Sequence, residues 1–141
     1  MTAVPGRAEG RWRRLAAPLG MLAAGAAGAA FVGTVSPYEE GHYPLCPFLG
    51  LTGLYCPGCG GLRMTYELAH GRLAEAFSKN ALVFLLLPVG GYLWGLWAAA
   101  SWRGAPGRTR LGSRTAIALL TGSILVFWVV RNLPFGRALA P

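Results

Sequence analysis

The sequence predicts an all-α membrane protein: three transmembrane helices, a cysteine-rich loop, and short interfacial amphipathic helices. Three observations lead there. Hydrophobic residues make up 54% of the 141 residues and charged residues 13%, where a soluble domain carries about 25% charged residues. The apolar residues gather in three long blocks rather than in short alternating runs. The charges stand at the ends of those blocks and are absent from their interiors. A formal net charge of +8 raises nucleic acid as a partner. The distribution excludes it, because the arginines cluster at block ends and form no basic stripe interleaved with aromatics.

Residues 1–14 read as a basic, disordered tail, with Arg7, Arg11, Arg13 and Arg14 against Glu9 and no apolar periodicity. Residues 15–35 carry no charge. At about 1.5 Å rise per residue they reach about 30 Å, the thickness of the hydrocarbon core. Gly20, Ala24 and Gly28 form a small-residue ladder suited to close helix packing. The basic start, Arg13–Arg14 and the Ala-rich end also fit a cleavable signal. The apolar run outlasts the usual signal core of about 7–15 residues, which favours an uncleaved span. Trp12 stands at its start, where an interfacial aromatic belongs.

Residues 36–80 form the expected extracytoplasmic cap. A polar connector with Glu39, Glu40 and His42 leads into the stretch holding all three cysteines, Cys46, Cys56 and Cys59. Its Gly and Pro density argues against a regular helix through it. Its Leu and Phe content argues against open water, so a folded cap on the ends of the spans, or a shallow re-entrant loop, is expected. In residues 62–79, Leu62, Tyr66, Ala69, Leu73 and Phe77 recur on one helical face. His70–Gly71 marks a stop, giving two short helices lying in the interface.

Residues 81–101 are the second span. Pro88 and Gly90–Gly91 predict a kink, and Tyr92, Trp94, Trp97 and Trp102 predict an interfacial belt. Residues 102–114 are a basic loop with Arg103, Arg108, Arg110 and Arg114. Residues 115–131 are a third, slightly short span whose flanking Arg114 and Arg131 are expected to snorkel to the interface. Residues 132–141 are a short tail. The tail at 1–14 and the loop at 102–114 together hold eight basic residues and one acid, while the opposite flanks hold five and four. The positive-inside rule then puts the N-terminus in the cytoplasm and the cysteines outside.

Three cysteines with a Cys-x-x-Cys pair support three chemistries. An oxidising compartment favours a disulfide staple among Cys46, Cys56 and Cys59, with one thiol left over. Three thiolates can also hold zinc, with His42 as the fourth ligand. His70, eleven helical residues from Cys59, stands about 16 Å away and is a poor ligand. Thiol–disulfide exchange is the third: Cys59 precedes a helix start and Arg63 lies one turn on, and both features favour thiolate. No strand–helix–strand unit of the thioredoxin type fits the chain, which weakens that reading. No phosphate loop and no nucleophile–base–acid set is present in the sequence, and the spans carry no charge for an ion path.

Cys46–Pro47, then Cys56–Pro57–Gly58–Cys59–Gly60 and Arg63, is similar to the signature of a family of small bacterial multi-pass membrane proteins of unknown function. The resemblance continues through His70–Gly71, Asn80 and Leu82, and Arg131–Asn132–Leu133–Pro134 resembles that family's C-terminal end. Leu62, Arg72 and Ala81 depart from it. The resemblance implies a fold and a location, the bacterial inner membrane, and no mechanism. The functional expectation is a non-catalytic accessory or binding module with a disulfide-stapled or metal-bound cap. A redox protein using Cys56 and Cys59 is the alternative. The lipid bilayer and a membrane-protein partner or second copy are the expected associates.

Overall fold

The computed structural model describes residues 7–39, 41–104 and 114–140. Expectations for Glu40, Arg108 and Arg110 lie outside the described residues. The elements run α1 (Arg7–Thr34), α2 (Pro47–Thr52), α3 (Gly61–Ala69), α4 (Leu73–Lys79), α5 (Ala81–Arg103) and α6 (Arg114–Arg131), followed by a 3-10 turn, Pro134–Leu139. No strand occurs among the described residues. Three helical stretches, Gly10–Thr34, Ala81–Arg103 and Arg114–Arg131, are long and apolar enough to cross a membrane.

α1 begins inside the stretch expected to be a disordered tail. A helix already nucleated by a span extends at little cost through Ala, Arg and Glu, all strong helix formers. The extension also gains a tertiary partner, because the Arg11 guanidinium lies 4.5 Å from the centre of the Trp102 ring. Further along, Trp94 Nε1 donates to the Pro18 carbonyl over 3.1 Å, fixing α5 against α1. α5 runs as one helix through Pro88.

The Gly20–Ala24–Gly28 ladder does not pack. A Cβ added at Gly20 or Gly28 would meet nothing within 4 Å. The close approach occurs at Gly33, where an added Cβ would stand 2.9 Å from the Ala69 Cβ. The helix that α1 meets tightly is therefore α3 of the cap, and the ladder stays on the outer surface. α5 has no buried side chain, and large residues of α6 such as Leu119 and Val126 are exposed. Lipid is what covers such a surface.

No helix runs the length of the Cys-rich stretch, but a six-residue one, α2, forms in its first half. Cys46 is the N-cap of α2 and Pro47 its first residue, a position where proline loses nothing. Gly53, at φ +70°, ends it after six residues. The expected apolar stripe of α3 and α4 splits: Leu62, Leu73 and Phe77 are exposed, Tyr66 is half-buried and Ala69 meets α1 at Gly33, while Met64, Glu67 and Ala76 are the residues buried. That leaves Leu62, Leu73 and Phe77 outward-facing. Between the two helices, Glu67 accepts from the Tyr38 hydroxyl at 2.6 Å and pairs with the Arg72 guanidinium, tying the connector to the turn at Gly71.

The chain's two ends sort cleanly. Val35, the cysteines, Asn80 and Arg131 meet at one end, shown by bonds from Tyr43 to Val35 and from Arg131 and Asn80 to the cysteine loop. Arg11 and Trp102 meet at the other. The core among the described residues is small and concentrated in the cap: Cys59, Met64 and Ala76, with the polar residues Glu67, Asn80 and Arg131.

Candidate functional site

The site is built on the turn from Cys56 to Gly60. Tyr55 precedes it and is held at both backbone atoms by one side chain. Asn132 Oδ1 accepts from the Tyr55 amide at 2.8 Å and Asn132 Nδ2 donates to the Tyr55 carbonyl at 2.9 Å. The chain then folds back on itself, with the Cys59 amide donating to the Cys56 carbonyl at 3.1 Å. The Cys56 amide donates to Cys59 Sγ at 3.3 Å. Gly60, at φ +84°, turns the chain into α3. A side chain there would meet the penalty L-residues carry in the left-handed region.

This turn sets Cys56 Sγ 3.1 Å from Cys59 Sγ, and Cys46 Sγ, from the start of α2, closes to 3.7 Å from Cys56 Sγ. All three sulfurs lie within 4.8 Å of one another and none is bridged. Four sulfurs around a tetrahedral ion, each about 2.3 Å from it, stand about 3.8 Å apart. The Cys46–Cys56 spacing is close to that value, and the Cys56–Cys59 pair has to open by about 0.7 Å. The donor set fits a soft cation such as zinc or copper(I). The cluster borders an open cleft of about 470 Å³, edged by Tyr43, Pro44, Leu62 and Arg63.

The other expected participants stand elsewhere. His42 does not join the sulfurs: its Nδ1 lies 3.4 Å from the Glu39 carboxylate and 3.4 Å from the Ser36 carbonyl. The connector is held against the end of α1 by the Tyr43 hydroxyl, which donates to the Val35 carbonyl at 3.1 Å, and His42 remains exposed. His70 Nδ1 lies 2.8 Å from the Tyr66 carbonyl. Arg63 stacks over the Tyr38 ring, 5.3 Å from its centre. It edges the cleft without being the cation that grips the turn.

That cation is Arg131. It does not snorkel: it is 1% exposed. Its Nη1 donates to the carbonyls of Cys56 at 3.0 Å and Cys59 at 3.2 Å, and its Nη2 to Cys59 at 3.2 Å and Leu139 at 3.0 Å. Asn80, fully buried, adds bonds from Nδ2 to the Pro57 carbonyl at 2.9 Å and the Cys59 carbonyl at 3.1 Å. Its Oδ1 accepts the Val83 amide at 3.1 Å, capping α5. The sequence marked Arg131, Asn132 and Asn80 only through the resemblance. Their partners in the cysteine loop lie 21 to 77 residues away, beyond any local pattern. The available local signals were an Asn immediately before an apolar helix, and an Arg–Asn pair ending one.

The thiols differ in character. The Leu49 backbone amide, foremost, holds the Cys46 thiol below its ordinary value. Burial pushes the Cys59 thiol up to about 12, more than the Cys56 amide offsets. The expectation that Cys59 is the activated thiolate is reversed, because it faces the interior and the first turn of α2 faces Cys46.

No curated protein and no solved structure matches the chain. The stretch that holds the three cysteines, Arg63 and Asn80, residues 46–94, matches the model of a family described as a protein of unknown function (DUF2752).

Proposed function

We propose that this is a membrane-anchored metal-binding module, in which Cys46, Cys56 and Cys59 hold one soft cation, with zinc as the reference ion, in a cap on the extracytoplasmic side of a bacterial inner membrane. One observation carries the reading: three sulfurs within 4.8 Å of each other on a turn whose carbonyls are gripped by the buried Arg131 and Asn80. Structural zinc sites close with four protein ligands, whereas sites that exchange a ligand keep a position open. Among the described residues only the three cysteines form the group. The fourth position therefore opens to the cleft, for water or for a donor group of a membrane partner or second copy. The orientation rests on the arginine distribution.

Metal titration of the full chain in detergent tests it. The expected result is one zinc per chain, with a thiolate-to-metal charge-transfer band on cobalt substitution, and loss of both in Cys56→Ser. Metal-free wild-type protein that takes up neither ion ends the reading.

The 3.1 Å Cys56–Cys59 contact supports a second reading, dithiol exchange. A Cys56 thiolate attacks a partner disulfide, forming a mixed disulfide and releasing the partner's thiolate. Cys59 then displaces the second partner thiolate and closes an internal disulfide. The chain's dithiol is oxidised as the partner's disulfide is reduced. Cys59→Ser then accumulates the mixed disulfide and Cys56→Ser does not; absence of any trapped species in both removes this reading.

A further inference from the structure

Arg131 closes α6 and is 1% exposed. Among the described residues, every hydrogen-bond acceptor of its two Nη groups is a neutral carbonyl, from Cys56, Pro57, Cys59 or Leu139. Its Nε has no partner among the described residues. Among the described residues no carboxylate lies within ion-pair distance of it, since the ion pairs are Glu39–His42 and Glu67–Arg72. The Phe127 and Tyr55 rings, 4.9 and 5.8 Å from the guanidinium carbon, supply only weak negative faces. A buried cation without an anion is strongly disfavoured, and proteins place one only where a negative charge answers it. Among the described residues the ionisable groups that act on it are the Cys59 and Cys56 thiols and the Tyr55 hydroxyl, and metal binding turns the thiols into thiolates.

We infer that Arg131 is the counter-ion of the filled thiolate site, so that the protein stabilises metal–thiolate complexes in proportion to their net negative charge. The inference rests on the metal reading of the three cysteines and names what positions and neutralises that site. Empty, with three thiols, the cluster is neutral. Filled by a divalent ion, three thiolates leave a charge of −1, which Arg131 cancels. Filled by a monovalent ion, they leave −2. A counter-ion therefore contributes about twice as much, on a logarithmic scale, to the monovalent complex. A residue that only holds the loop in shape contributes equally to both. Arg131 is thus a positioning residue with a charge-dependent signature.

The test is anaerobic competition titration of the full chain in nanodiscs, with zinc and with copper(I) against chromophoric chelators. It compares wild type, Arg131→Gln and Arg131→Lys. Outer-shell substitutions at metal sites lower affinity about 10- to 100-fold. The expected result for Arg131→Gln is about a 10-fold loss for zinc and about a 100-fold loss for copper(I), on the same outer-shell scale. For Arg131→Lys, which keeps the charge and loses the forked geometry, a smaller loss, equal for the two ions, is expected. Equal losses for both ions in Arg131→Gln, or no loss, overturn the inference. If Arg131→Gln fails to fold, Arg131→citrulline, nearly isosteric and neutral, decides: a larger loss for copper(I) than for zinc supports it and equal losses overturn it. Wild-type protein that binds neither ion sinks the metal reading itself, a result distinct from wild-type binding that Arg131→Gln leaves unchanged.

Discussion

Asn80 distinguishes a helix cap from a clamp. Its Oδ1 caps α5 through the Val83 amide, and its Nδ2 grips the Pro57 and Cys59 carbonyls. Asp and Asn are equivalent as N-caps, so a residue that only caps tolerates Asn80→Asp. A carboxylate cannot donate, however. It loses two hydrogen bonds of about 1 kcal/mol each and turns negative charge toward two carbonyl oxygens in a fully buried position. The expected cost of Asn80→Asp is at least about 2–3 kcal/mol, roughly a 30- to 150-fold shift toward the unfolded cap. Asn80→Ala loses the same two bonds and the cap, about 3 kcal/mol in all. Denaturant titration in detergent micelles, following cap opening by the rate at which the buried Cys59 is alkylated, measures both. Asn80→Asp as stable as wild type, with Asn80→Ala destabilised by about 1 kcal/mol, would show that Asn80 only caps α5 and that the cysteine loop stands without it.

Alkylation of metal-free, reduced protein near pH 8 is expected to modify Cys46 before Cys59. The Leu49 amide favours the Cys46 thiolate, while burial keeps Cys59 protonated up to about 12; mass spectrometry of partially modified protein with Cys59 labelled first contradicts this. Arg72 and then Tyr38 hold the Glu67 carboxyl below its ordinary 4.5. Its stabilising effect is complete above that value and is lost as pH falls through the lowered one. Glu67→Gln should therefore cost about 1–3 kcal/mol at neutral pH and flatten the acid limb of a stability–pH profile, and an unchanged acid limb refutes the assignment. Gly33→Val should separate α1 from α3 at a cost of about 1–3 kcal/mol, read by thermal unfolding, while Gly28→Val, at a position open to the outer surface, should leave stability within about 0.5 kcal/mol.

The spans were legible because lipid imposes a rule on composition and length alone: a charge-free run of the right length. The positions of Cys46, Cys56 and Cys59 in one irregular cap were legible for the same reason, since irregular backbone must be covered. Local rules failed where a neighbour in space overrode them. α2 is the exception, a purely local outcome, with Pro47 and Gly53 at the two ends of the helix and not inside it. Helix α1 reaches back to Arg7 with Trp102 to meet it. His42 reads as a ligand by spacing, but Tyr43 holds its connector against α1.

Arg131 shows the division most clearly. In the chain it is an arginine ending a short apolar run, and the bilayer rule sends such a residue outward to water. In the folded protein it turns inward instead and bonds the carbonyls of Cys56 and Cys59. Three apolar blocks suffice to mark three helices long and apolar enough to cross a membrane, because solvent transfer acts on each segment independently. That three sulfurs meet, which of them is buried, and which charge faces them depend on contacts across more than seventy residues. Those contacts exist only once the helices have brought both ends of the cap together.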